Sequence, residues 1–233
     1  MLIKCENLKL PIPKLSPEEA QILERMRRSA DEKFHAGKFE ESAATMRMLA
    51  LFIPNDPTLL ANLGVALVRA GKPEEGVRYL ERLTRLTPKD PSAWMRFGGA
   101  LLCRGKCLEA LTAFNEALSV DALDVGAMTM IGKTMLTLNQ PPAKAEKYLR
   151  QAISIKPSHA EAWVHLGIAL GRQQKSKDAE QVFKRALALH PPAGMLHLIH
   201  EELRRLNYAG CLALNDTQIA LGAFTPPAIK TGA

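Results

Sequence analysis

The chain has 233 residues, of which 47% are hydrophobic and 24% charged, with a formal net charge of +7. That balance excludes wholesale disorder, and an aromatic content of only 5% leaves a large β-sandwich or barrel without its usual strand formers. The positive charge raises nucleic acid as a partner, a question its location along the chain decides.

At the N-terminus, Met1 to Glu6 contains no apolar run long enough for a secretory signal. No uninterrupted stretch of about 18 apolar residues occurs anywhere in the chain, so membrane insertion is not expected. Residues 1–22 read as an N-terminal arm and the start of a first helix. Ser16-Pro17-Glu18-Glu19 supplies a capping hydroxyl, a proline at the first turn and a glutamate that can reach back to the cap. Cys5, Cys103, Cys107 and Cys211 have neither zinc-knuckle nor C-x2-C redox spacing. They read as reduced thiols of a cytoplasmic protein.

From residue 23 onward the chain repeats. Leu60, Trp94, Met128 and Trp163 recur at intervals of 34, 34 and 35 residues. Each is followed three residues later by Leu63, Phe97, Ile131 or Leu166, then at once by Gly64, Gly98, Gly132 or Gly167. The later half of each unit recurs as Leu80, Phe114, Leu149 and Phe183, and Pro54, Pro88, Pro157 and Pro191 close units. Trp163, Leu166 and Leu170 fall on one helical stripe, and Ala179, Phe183, Ala186 and Leu187 form the inner face of a second helix. A mid-helix glycine costs up to about 1 kcal/mol relative to alanine. Its recurrence predicts a close crossing in which a side chain would clash.

These residues resemble the tetratricopeptide repeat (TPR) family. Its large–large–Gly–large then Ala–large–Ala–Pro pattern is carried by Trp163, Leu166, Gly167, Leu170, Ala179, Phe183, Ala186 and Pro191, and similarly by Trp94 to Ala117. The resemblance implies an all-α, right-handed superhelical solenoid of about five helix-turn-helix units with a C-terminal capping helix. The units fall at about 23–56, 57–90, 91–124, 125–159 and 160–193, a TPR array over 23–193. Residues 194–207, Met195 to Leu206 at their centre, form the cap that covers a last apolar face, and 208–233 a flexible tail. In the first unit Lys33 stands where a large apolar residue is expected, in the second Gly76 replaces alanine, and the fourth carries an extra turn residue at Asn139-Gln140-Pro141-Pro142.

Motifs for chemistry are weak. Gly99 to Lys106 has one residue too many for a phosphate loop, and Cys107 stands where Ser or Thr would bind magnesium. His197, His200 and Glu201 match neither zincin order and read as the polar face of the cap. Cys103 and Cys107 flank a turn and read as packing residues. The expectation is a non-enzymatic protein without cofactor or metal.

The resemblance further implies that the first helix of each pair lines a concave groove that binds a peptide or helix of another protein. The partner-binding residues expected there are Arg27, Asn62, Val65, Arg69, Met95, Arg96, Leu102, Met130, Lys133, Leu136, His165, Ile168 and Arg172: an apolar floor with basic posts. A TPR subclass grips chaperone C-termini with five polar residues. The corresponding positions here hold Arg27, Asp31, Asn62, Ser92 and Arg96, where Asp31 repels a carboxylate and Ser92 lacks charge. The apolar groove is also similar to that of TPR chaperones for type III secretion translocators, whose N-terminal arm mediates dimerisation. Leu8–Leu15 is comparable, a route to a homodimer.

Residues 125–193 carry ten Lys/Arg against four Asp/Glu, which is +6 of the net +7. These basic residues are not interleaved with aromatics, so a nucleic-acid-associated surface at 125–193 is the weaker reading. The sequence reads as a protein-interaction scaffold, adaptor or chaperone whose partner offers an acidic, apolar segment.

Overall fold

The computed structural model describes residues 16–206. The expectations for the arm at 8–15 and the tail at 208–233 lie outside the described residues. Among those described, the chain is all helix: α1 (Pro17–His35), α2 (Phe39–Phe52), α3 (Pro57–Arg69), α4 (Pro73–Leu86), α5 (Pro91–Cys103), α6 (Cys107–Val120), α7 (Val125–Thr137), α8 (Pro142–Ile155), α9 (Ala160–Arg172), α10 (Ser176–Ala188) and α11 (Ala193–Arg205). They form two compact units, the first ending at Lys106 and the second beginning at Cys107.

In the first unit, α1 packs on α2, α2 on α3, α3 on α4 and α4 on α5, each helix against the next in sequence. The second unit continues the same rule through α6 to α10, and α11 packs on α9 and α10. Local sequence explains the starts of the first helices. Asp56, Asp90 and Asp124 cap α3, α5 and α7, their carboxylates accepting from the backbone N–H of Leu59, Ser92 and Ala127. Ser16 caps α1 as the sequence predicts, with Glu19 completing the capping box. The α9 cap position holds His159, which makes no such bond.

The turns after the first helices share one conformation. Gly37, Gly71 and Gly105 take φ of +74, +79 and +72°. Asn139 and Gln174 occupy the same register at 51 and 62°. Each turn is closed by a six-to-one backbone bond, such as Lys72 N–H to the Leu67 carbonyl. The extra residue of the fourth repeat falls after this closure, at Gln140-Pro141, so α8 begins on Pro142 with the hairpin intact.

The recurrent glycines have the predicted steric cause. A Cβ on Gly64 would lie 2.5 Å from Leu80 Cγ, on Gly132 2.6 Å from Leu149 Cγ, and on Gly167 2.5 Å from Phe183 Cε1. Each of these three hairpins therefore closes a large side chain of its second helix over bare backbone of its first. In the second repeat the approach is mutual, since a Cβ on Gly76 would meet the Gly64 carbonyl at 2.7 Å. The first repeat solves the crossing differently. Ala30 takes the glycine position, unbranched Met46 stands where Leu80 does, and Ser42 Oγ donates to the Ala30 carbonyl at 2.8 Å. Leu60, Leu63, Leu67, Leu80 and Leu83 fill the first unit, and Phe114, Ile131, Leu149 and Phe183 the second, all at most 2% exposed. Full burial of each such side chain contributes about 1.5–3 kcal/mol.

Candidate functional site

The first helices meet side by side, α3 with α5 in the first unit and α7 with α9 in the second. This brings the expected site residues together as two faces, one on each unit. In the first unit, Asn62, Val65, Met95 and Leu102 are half-buried and Arg69 and Arg96 exposed. Neither Asn62 nor Arg96 has a side-chain hydrogen bond or ion pair among the described residues. The Arg69 guanidinium sits 5.9 Å from the centre of the Phe39 ring.

Arg27 is committed elsewhere. Its guanidinium donates to Asp56 Oδ2 at 2.9 Å, tying α1 to the cap of α3. Beside that pair a narrow cleft of about 20 Å³ is lined by Arg27, Asp31, Thr58 and Asn62 over a floor of Ala30, Met46, Leu49 and Leu59. That volume holds about one water molecule, so the cleft is a hydrogen-bonding notch and not a ligand pocket.

The face of the second unit is more closed. Met130 and Lys133 are half-buried, but Leu136, His165 and Ile168 are only 3, 8 and 7% exposed. All residues from Val164 to Leu170 on α9, which receives α11, are buried. Leu206, just beyond α11, comes within 3.6 Å of where a Gly171 side chain would begin. Lys133 Nζ lies 3.1 Å from Glu161 Oε1, and His165 Nε2 lies 3.6 Å from the same oxygen. The hydrogen bond from His165, joined by the Lys133 charge, outweighs burial and holds the Glu161 carboxyl at about 2, well below its ordinary value. Arg172, exposed, donates to the Leu136 carbonyl and lies 3.5 Å from Asn139 Oδ1.

Glu161 is not among the residues expected from sequence, although its signal was local. It precedes His165 by four residues, a spacing that places both on one helix face. Glu146 is a second organising acid. It accepts from Arg150 Nε and Gln173 Nε2 at 2.7 Å each, and lies 3.4 Å from Lys175 Nζ. The basic residues left without an ion-pair partner among those described include Lys144, Lys147, Lys177 and Arg185, exposed on α8 and α10. The excess charge of 125–193 therefore lies on second helices, away from the face on α7 and α9.

These hairpins, with bare glycine under a large side chain and a left-handed turn between helices, define a class of helical repeat. The tetratricopeptide repeat model matches residues 28–91, 61–127 and 129–194, and the chain belongs to that family, whose members are protein-interaction scaffolds. No curated protein matches it in sequence. Among solved structures, MamA aligns at 21% identity over 73% of this chain and 92% of its own, with a TM-score of 0.64. MamA 41-end from Desulfovibrio magneticus RS-1 aligns at 22% identity over 72% of this chain and 94% of its own, with a TM-score of 0.65. YrrB, described as a TPR protein with an unusual peptide-binding site, aligns at 15% identity over 76% of this chain and 90% of its own, with a TM-score of 0.59. At these identities the likeness is one of fold. No helix among the described residues is long and apolar enough to cross a membrane.

Proposed function

We propose that this protein is a non-enzymatic, cytoplasmic scaffold that holds a peptide or helix of a partner protein against the first-helix face of its first unit. The observation that carries this reading is the open, unsatisfied character of α3 and α5. Val65, Met95 and Leu102 offer apolar surface, and Asn62 and Arg96 offer hydrogen-bonding groups that no partner among the described residues occupies. Methionine adapts to irregular side chains, which suits a segment without a fixed shape.

The occupant is read as apolar and hydrogen-bonding. Arg27, Lys133 and Arg172 are already engaged by Asp56, Glu161 and the Leu136 carbonyl, so the basic posts expected from sequence are largely spent. A carboxylate grip through Arg27 would also have to displace Asp56. Acidic character in a partner is matched instead by the uncompensated charge of α8 and α10.

The test is selection of peptides from a displayed library on the full chain, followed by affinity measurement on variants. Met95→Glu with Arg96→Glu should weaken selected peptides at least about tenfold, while Arg78→Glu on the outer side of α4 leaves them unchanged. Equal affinity across both, with melting temperatures unaltered, rejects the α3–α5 face.

A further inference from the structure

The outer face of α2 departs from those of the other described second helices. In repeat register, Ala44 is answered by Arg78, Thr112, Lys147 and Gln181. Met48 is answered by Arg82, Glu116, Gln151 and Arg185, and Leu51 by Arg85, Ser119, Ser154 and Ala188. Among these helices only α2 is apolar at all three positions, with Met48 56% and Leu51 81% exposed. Neighbouring Phe52, 52% exposed, is ordinary by comparison, since its counterparts Leu86, Val120 and Ile155 are apolar and 40–41% exposed. An apolar patch of this kind on a protein surface marks a contact.

With Glu41 and Asn55, these residues fall at 41, 44, 48, 51 and 55, the alternating three- and four-residue spacing of a helix-pairing seam. All five are exposed. Ser42, Ala43, Met46 and Leu49 are buried on the opposite side of the helix, which fixes the direction the seam faces. Charge lies beside it in a definite order. Arg47 pairs with Glu75, Lys72 with Glu40, and Arg82 donates to Asn55 at 2.6 Å, so α2 and α4 run parallel. Arg82 therefore stands beside the last turn of α2, with no carboxylate partner among the described residues. At the other end of the seam Glu41 is engaged by Lys38 at 4.0 Å, an exposed pair of little strength.

We propose that this seam binds a second copy of the same chain, the two α2 helices pairing antiparallel across a two-fold axis between Met48 and Leu51. Turned end to end, the seam is its own complement. Met48 of each copy meets Leu51 of the other, and small Ala44 leaves room for the Phe52 ring of the second copy. The first turn of one α2 then lies against the last turn of the other, which brings Glu41 of each copy to Arg82 of its mate. Opposite charges therefore meet twice, once at each end. A parallel pair would instead set Glu41 against Glu41 and Arg82 against Arg82, which like-charge repulsion disfavours. The contact is isologous, so it closes at two copies. One helix pair is a small interface, so the dimer exchanges with monomer and dissociates in the micromolar range. The first-helix face of α3 and α5 takes no part in it.

The test is analytical ultracentrifugation of the full-length chain under reducing conditions. From about 1 to about 300 µM it should show a monomer–dimer equilibrium. Met48→Glu with Leu51→Glu should raise the dissociation constant at least about tenfold, with helicity and melting temperature unchanged because both residues are exposed. Leu108→Glu, at an exposed apolar residue of α6, should leave it unchanged. Glu41→Arg and Arg82→Glu should each weaken pairing about fivefold, and the two reversals on one chain should restore it to within about twofold. A chain that stays monomeric throughout, whatever then covers the patch, overturns the proposal. A dimer indifferent to Met48→Glu with Leu51→Glu also overturns it, by placing the contact elsewhere, as does association that continues beyond two copies. A double reversal no tighter than the single ones refutes the antiparallel pairing and the proposal with it.

Discussion

At the scale of single residues, the glycines separate two effects that sequence alone merges. Gly167 lies under the rigid ring of Phe183, where an added Cβ comes within 2.5 Å of Cε1, whereas Gly99, also mid-helix, has nothing within 4 Å. Gly167→Ala should therefore destabilise by about 1–3 kcal/mol through overpacking, and Gly99→Ala should stabilise by about 0.5–1 kcal/mol through helix propensity. Denaturant melts of the two variants would check the opposite signs. Glu161 gives a pH signature. Its carboxyl titrates near 2 in the folded chain against 4.5 for an unperturbed one. A depressed carboxylate stabilises the fold above its unfolded value, and the contribution disappears as pH falls from about 4.5 to 2. Glu161→Gln should cost on the order of 2–3 kcal/mol at neutral pH and little near pH 2. Urea melts of both forms at several pH values would show it.

At the scale of elements, the repeats act as controls for one another. Gln174 holds the left-handed φ that glycine holds in three other turns, so Gln174→Gly should stabilise by about 1 kcal/mol. His159 leaves α9 without the cap that Asp56, Asp90 and Asp124 give their helices, so His159→Asp should add about 0.5–1 kcal/mol. Thermal melts of the single and double variants, expected to add because the sites are separate, would check both. The hairpins themselves were legible because glycine, alanine and large apolar residues return in fixed register, and each register position has one steric role. The α1 start was legible because Ser16 and Glu19 form a local box. The state of the site was much less so. Leu136, His165 and Ile168 share the expected helix face, but α9 is sealed in a way that only the packing of α11 reveals. Arg27 and Lys133 are paired across 29 and 28 residues, distances at which no local pattern announces a partner. The apolar outer face of α2 was visible in register but gained meaning only from its exposure.

At the scale of the molecule, the net charge of +7 divides between internal work and display. Glu146 and Glu161 absorb Arg150, Lys175 and Lys133, while Lys144, Lys147, Lys177 and Arg185 remain on the solvent faces of α8 and α10. Protein partners with acidic flanks should lose affinity when these four are reversed to Glu, and more steeply at low salt than at high. Without aromatic stacking surfaces among these basic residues, single-stranded oligonucleotides should not bind even at low salt, which a fluorescence anisotropy titration would show. The central claim is that partner segments lie on the first-helix face of the first unit. Hydrogen–deuterium exchange of the full chain, with and without a library-selected peptide, tests it most directly. The account predicts added protection on α3 and α5, around Asn62, Val65, Met95 and Arg96. Protection confined to α4, α8 or α10 would contradict it.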